Sequence, residues 1–151
     1  MSLPQVLVAL ATSLALISLG GGAYEFLVVD RAWPRRPDII QPQRGGISRR
    51  RFWIPAHGAF GLCLIAALIV EWGDASVRAA LLVALASHVA MRVWSLFDFI
   101  PKALAFERAD PASIELRAAK RWVERSLGRL PLDLVTCSAM IAALAAVARR
   151  G

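Results

Sequence analysis

Four apolar runs, each near the length that crosses a bilayer, constrain this chain more than any other feature. They cover Leu3 to Val29, Phe52 to Val70, Ala79 to Ile100 and Leu130 to Ala148. A helix that spans the hydrocarbon core needs about 20 mostly apolar residues. The 151-residue chain is 58% hydrophobic, more than the roughly half expected of a soluble domain, and the excess sits in these runs. The expected fold is all-α. It is one integral membrane domain over residues 1–151, with four transmembrane helices in an up-down bundle.

The first run has no Lys or Arg before it and is too long for the apolar part of a signal peptide, so a retained helix is expected. Gly20, Gly21 and Gly22 interrupt it and suit a close helix contact or a local distortion. Gly58 and Gly61 in the second run, and Ser138, Ala142, Ala145 and Ala146 in the fourth, form small-residue faces for packing. These faces allow a homo-oligomer. The third run is expected to end at Ile100, before Pro101. Asp110-Pro111 reads as a helix start, with Asp as N-cap and Pro in the first turn. From there an amphipathic helix over about 111–127 is expected to lie at the cytoplasmic interface, with Arg117, Lys120, Arg121 and Arg125 towards headgroups. A short soluble helix packed on the bundle is the alternative.

The net charge of +7 does not point to nucleic acid, because the basic residues flank the apolar runs. The loop from Arg31 to Arg51 and the one before the fourth run carry seven Lys or Arg each, and the turn between runs two and three has only Arg78. The positive-inside rule then places both long loops in the cytoplasm and both termini outside. A bacterial inner membrane is the expected location and the lipid bilayer the first partner. The Arg149–Arg150 tail runs against this count. Trp53 and Trp122 are expected at the inner interface and Trp72 at the outer one. Cys63 and Cys137 lie within apolar runs and lack metal-site spacing, so both read as small buried residues.

The stretch Ser87 to Phe106 places His88, Arg92, Ser95 and Asp98 inside an apolar run, where ionisable groups are costly unless they face protein or water. The first three share a helical face, and Asp98 is expected to continue it. Counted from helix ends, Tyr24, Glu25, His57 and Ser95 all lie roughly 6–8 Å deep, with Arg92 at about 12 Å. Three helices thus deliver polar groups to one layer. Arg92 needs an acid, with Glu25 and Asp98 as candidates.

The expected site assigns acid/base work to His57, charge stabilisation to Arg92, support to Glu25, and proton donation to Tyr24. Ser95, Asp98, Trp94 and Arg51 are the expected ligand contacts. The functional expectation is a membrane enzyme with a cytoplasm-facing pocket for an apolar small molecule or lipid. Alternatives are a non-catalytic scaffold held by an ion-pair network and a single-His haem or quinone redox subunit. The depths of His57 and His88 differ by about 10 Å on these spans, too far apart to ligate one iron together. No metal-ligand motif is present, and the residues do not name a cofactor.

Gly20–Gly22 in the first helix, the long polar loop from Arg31 to Arg51 and polar groups near helix ends resemble small bacterial four-helix membrane proteins of the anthrone-oxygenase type. The resemblance is architectural and covers most of the chain. It implies a cofactor-poor oxidative or tailoring enzyme acting on an apolar or aromatic compound. Arg92-Val93 followed by Phe97 and Phe99, with Arg49–Arg51 and His57 on the second helix, is similar to the membrane-associated glutathione-transferase (MAPEG) group, which implies a transferase. This sequence departs from that group at Gly58 and Phe60, which stand where its glutathione-holding Asn and Glu would be needed, and in its long loop before helix four.

Overall fold

The computed structural model describes residues 2–150. Among them there is no strand, and four helices are long and apolar enough to cross a membrane: α1 Leu3–Ala32, α2 Arg50–Val70, α3 Ala75–Arg108 and α4 Leu116–Ala148. Pro4 sits in the first turn of α1, where no N–H partner is lost, and the Gln5 side chain accepts the Ser2 N–H at 2.8 Å. Asp74 caps α3 by accepting from the N–H groups of Ser76 (2.8 Å) and Val77 (2.9 Å). Those donors hold its carboxyl below the usual carboxylate range.

In cross-section α1 lies between α2 and α4, and α4 lies between α1 and α3. The contact between α2 and α3 is the sparsest of the four seams. Val8, Ala11, Phe60, Leu64, Leu81, Ala84, Met140 and Ala143 fill the main core. Thr12 spans a helix pair there, donating to Val8 O at 2.7 Å and Met140 O at 3.3 Å.

A second core closes the end that carries the two long loops. Trp33 packs on Phe106 and Trp122 at ring distances of 5.2 and 5.8 Å, and Val29, Ile40, Phe99 and Ala119 complete it. The first loop is tied to the end of α3. Gln41 Nε2 donates to Phe106 O (2.9 Å) and Ala109 O (2.8 Å), and Gln43 donates to Glu107 O. A helix C-terminus leaves such carbonyls without partners, and two glutamine amides supply them.

Several expectations change. Helix α3 does not stop before Pro101 but runs on to Arg108. A π-helical turn at Ser95–Phe99 precedes the proline, and its wider winding relieves the ring's clash with the preceding turn. A second π turn, Glu25–Val29, carries α1 on to Ala32. Asp110-Pro111 opens only a 3-10 turn, Pro111–Ser113; the helix begins at Leu116 and continues through a 3-10 turn, Leu127–Arg129, into the last apolar run.

The apolar side of that amphipathic segment, with Ala119, Trp122 and Ser126, is buried against the second core. That side is covered by protein. Trp122 is therefore no interfacial belt residue: it is buried and donates Nε1–H to Phe99 O at 3.3 Å. Within the single chain the small-residue faces are not helix–helix contacts. A Cβ on Gly58 or Gly61 would meet nothing within 4 Å. Ser138, Ala142 and Ala145 are exposed, while α4 turns Thr136, Cys137, Ala139, Met140, Ala143 and Val147 inward. Alanine and serine are too alike in size across this helix to mark its inner side.

Gly46 is irreplaceable for a steric reason. A Cβ there would lie 2.2 Å from Asp38 O and 2.6 Å from Ile39 O. Gly46→Ala should lower the thermal midpoint of the detergent-solubilised protein by several degrees, while Gly58→Ala should leave it within about a degree, since surface substitutions are usually near neutral. Equal midpoints would refute this account of the first loop.

Candidate functional site

At the long-loop end the four helices enclose a cavity of about 420 Å³, within the range of about 300–1,000 Å³ typical of small-molecule sites. Every helix contributes to its wall, and both π turns begin on it, at Glu25 and at Ser95. Inserted π turns recur at functional sites because they re-aim side chains that a regular helix would hide.

The polar wall is built by spacing. On α2, Trp53 and His57 follow Arg49 at helical i+4 and i+8 positions, so all three face the cavity. Arg49 lies between two carboxylates, Glu25 at 3.3 Å and Glu107 at 3.6 Å, and over the Trp122 ring at 5.3 Å. Glu107 also pairs with Arg50 at 3.5 Å. Trp53 donates Nε1–H to Glu25 at 2.6 Å and stacks flat on His57, with ring centroids 5.0 Å apart. Asp30 accepts the Trp33 Nε1–H at 2.8 Å. Arg129 lies 4.6 Å from the Phe99 ring and donates to Ser126 O at 3.2 Å. In all, four arginines (Arg49, Arg50, Arg92, Arg129) and four acids (Glu25, Asp30, Glu107, Asp133) line the cavity. A low-dielectric site tolerates charges only when they are balanced in this way.

The balance of charge is not a balance of hydrogen bonds. Arg49 Nη2, His57 Nδ1, Arg92 Nε and Ser95 Oγ are buried atoms without a hydrogen-bond partner in the protein, and all four side chains line this cavity. Among the described residues no carboxylate oxygen comes within 4.0 Å of Arg92. Its expected partners are engaged elsewhere: Glu25 with Arg49 and Trp53, and Asp98 with Lys102 and, at 2.6 Å, with Arg125.

The sequence-derived candidates divide. His57, Arg92, Glu25 and Ser95 border the cavity. Tyr24 does not: it is 62% exposed, on the outer side of α1. Asp98 leaves the His88–Arg92–Ser95 face because the π turn advances each residue through a smaller angle than an α turn. Phe99 takes the inward place instead. Trp94 lies behind the wall, against Phe99 at 5.2 Å and over Gly128. Arg51 points away, about 100° round the helix from Arg50.

His57 and His88 do not differ in depth by about 10 Å. Their rings are 5.7 Å apart, and His88 also meets Phe60 edge-on at 4.8 Å. The error came from treating helix ends as level, when α3 extends well past Ile100.

Residues that the sequence reading left out of the site are Asp30, Trp53, Glu107, Trp122, Arg129 and Asp133, and Arg49 figured there only as part of the basic start of the second helix. Arg49–Trp53–His57 was readable as one helical face, and Arg129–Asp133 as an i,i+4 pair of opposite charge. Glu107 had no such signal, since it lies beyond the proline expected to end α3. No family model, no curated protein and no solved structure matches this chain.

Removing Glu107 leaves Arg49 buried with half its compensation. Glu107→Leu should cost about 3 kcal/mol in denaturant unfolding, the scale for breaking a buried ion pair. Asp98→Asn, which loses partners on the outside of the bundle, should shift the midpoint far less. Equal effects would mean that the Arg49 cluster is not a stabilising contact.

Proposed function

We propose that this chain is an integral membrane enzyme that takes an apolar small molecule or lipid into the cavity, holds its polar end at Arg92 and Ser95, and exchanges a proton with it through His57. One observation carries the reading: the polar end of the cavity is unfinished. A purely structural network would pair its members, since an unpaired buried donor costs about 1–3 kcal/mol. Here His57, Arg92 and Ser95 each keep an unpartnered atom beside the same space. A ligand that supplies partners turns that cost into binding selectivity.

The route of access follows from the packing. Ile54 and Ile100 border the cavity on α2 and α3 yet are 69% and 43% exposed, at the sparsest seam of the bundle. In a bilayer such an opening faces acyl chains, so an apolar ligand reaches the cavity sideways without crossing water. Deeper in, Met91, Phe99, Ala103 and Leu104 supply apolar wall, and His57 is held flat by Trp53. An imidazole so placed suits proton transfer to or from the ligand's polar end.

The proposed orientation puts the cavity on the cytoplasmic side of a bacterial inner membrane, with both termini outside. The two arginine-rich loops support it. The one contrary signal is partly neutralised: Arg150 pairs with Glu71 at 3.1 Å and Asp74 at 3.2 Å in the short turn.

The test is mass spectrometry of the protein extracted gently from its own membrane. The wild type should retain an apolar molecule that Ser95→Leu, which fills the polar end, loses. His57→Gln should retain the same molecule in unconverted form. No retained molecule in any variant, with a collapsed unfolding midpoint in Ser95→Leu, would favour a static scaffold and end the enzyme reading.

A further inference from the structure

The unpartnered atoms are not chemically neutral, and their type narrows the ligand. Arg92 Nε–H can only donate, and the Ser95 hydroxyl donates readily. Both atoms sit beside the cavity with nothing in the protein bonded to them, so a ligand head that brings oxygen acceptors would satisfy them. Ser95 is 2% exposed and lies three residues, close to one helical turn, beyond Arg92 on α3, so the two donors are neighbours on one wall.

The wall's own acids do not fill this need. Glu25 is taken by Arg49 and Trp53, Glu107 by Arg49 and Arg50, and Asp30 by Trp33. Asp133 attracts Arg92 and Arg129 together, yet touches neither guanidinium within 4.0 Å. Arg92 is thus a half-buried guanidinium with a free edge and no carboxylate in contact. A guanidinium edge presents parallel N–H groups that match the two oxygens of one carboxylate. A ketone or ester carbonyl presents one oxygen and no charge to the guanidinium, and so makes the weaker, neutral contact.

Resting on the cavity reading above, we infer that the ligand is a single-chain carboxylate. Its two oxygens lie on Arg92 and Ser95, and its chain runs along Phe99, Ile100 and Leu104 towards the seam between α2 and α3. A cavity of about 420 Å³ takes one chain; a two-chain lipid would have to leave a chain outside. His57 stands beside this head group as the proton-exchanging group, while the fixed positive charge of Arg92 selects the acid in its ionised form.

The probes are 11-bromoundecanoate and its methyl ester, titrated into the full chain in nanodiscs of neutral lipid. The readout is bromine quenching of tryptophan fluorescence, with Trp53→Phe identifying the share that arises at the cavity wall. The wild type should be quenched saturably by the acid at about tenfold lower concentration than by the ester, the factor expected for one charge-assisted contact. Arg92→Gln should raise the acid's midpoint to that of the ester and leave the ester's unchanged; Tyr24→Phe, outside the cavity, should alter neither. Should Arg92→Gln fail to fold, Ser95→Ala serves, with the acid weakened severalfold and the ester less.

Acid and ester of equal strength in the wild type, or a preference that survives Arg92→Gln, would overturn the carboxylate assignment and leave the cavity reading standing. Absence of saturable quenching by either probe would overturn both.

Discussion

Arg49 is the interaction on which the functional end of this molecule depends. Its guanidinium joins α1 through Glu25 and α3 through Glu107, while its own backbone lies at the start of α2 and its face covers Trp122 on α4. One side chain therefore fixes the spacing of all four helices around the cavity. Such a cluster adds little to stability compared with an apolar core of the same size, but it specifies a single arrangement, because any other leaves a buried charge alone. The surrounding aromatic core keeps water from that network: Trp33, Phe106 and Trp122 close the loop end, and Gln41 and Gln43 seal the last carbonyls of α3.

The two π turns do related work on opposite walls. Each inserts a wide turn at a residue of the cavity wall and changes the face presented by the residues that follow it. In α1 the insertion starts at Glu25, and in α3 at Ser95. In α3 the same turn prepares the chain for Pro101, so the helix survives the proline and delivers Glu107 to Arg49 and Arg50. Between these turns the bundle is ordinary, packed by Leu, Ala and Val. Both π turns and the charges that line the cavity lie at the long-loop end.

The helical architecture could be read from the chain because four long apolar runs leave few alternatives, and runs of that kind tolerate errors of a few residues at their ends. The site could be read only in part. His57, Arg92, Glu25 and Ser95 were found because a polar group within an apolar run is visible by contrast. Arg49, Glu107 and Arg129 lie just outside the runs, where arginines and acids are common, and their burial depends on how the loops fold back. Tyr24 was placed by depth, which does not say which side of the helix a residue faces, and Asp98 by regular helical spacing, which the π turn in α3 breaks. A π turn has no residue signature of its own, although a proline six residues after Ser95 is a reason to expect irregular winding. The gap between His57 and His88 was overestimated because helix ends were treated as level.

The central claim is that the polar end of the cavity is open and waits for a ligand's oxygens. A high-resolution density map of the protein in native lipid tests it most directly. The account predicts an elongated feature between α2 and α3 whose head lies within hydrogen-bond distance of Arg92 Nε and Ser95 Oγ. A collapsed cavity, with Arg92 bonded directly to Asp133 and no room beside Ser95, would contradict it.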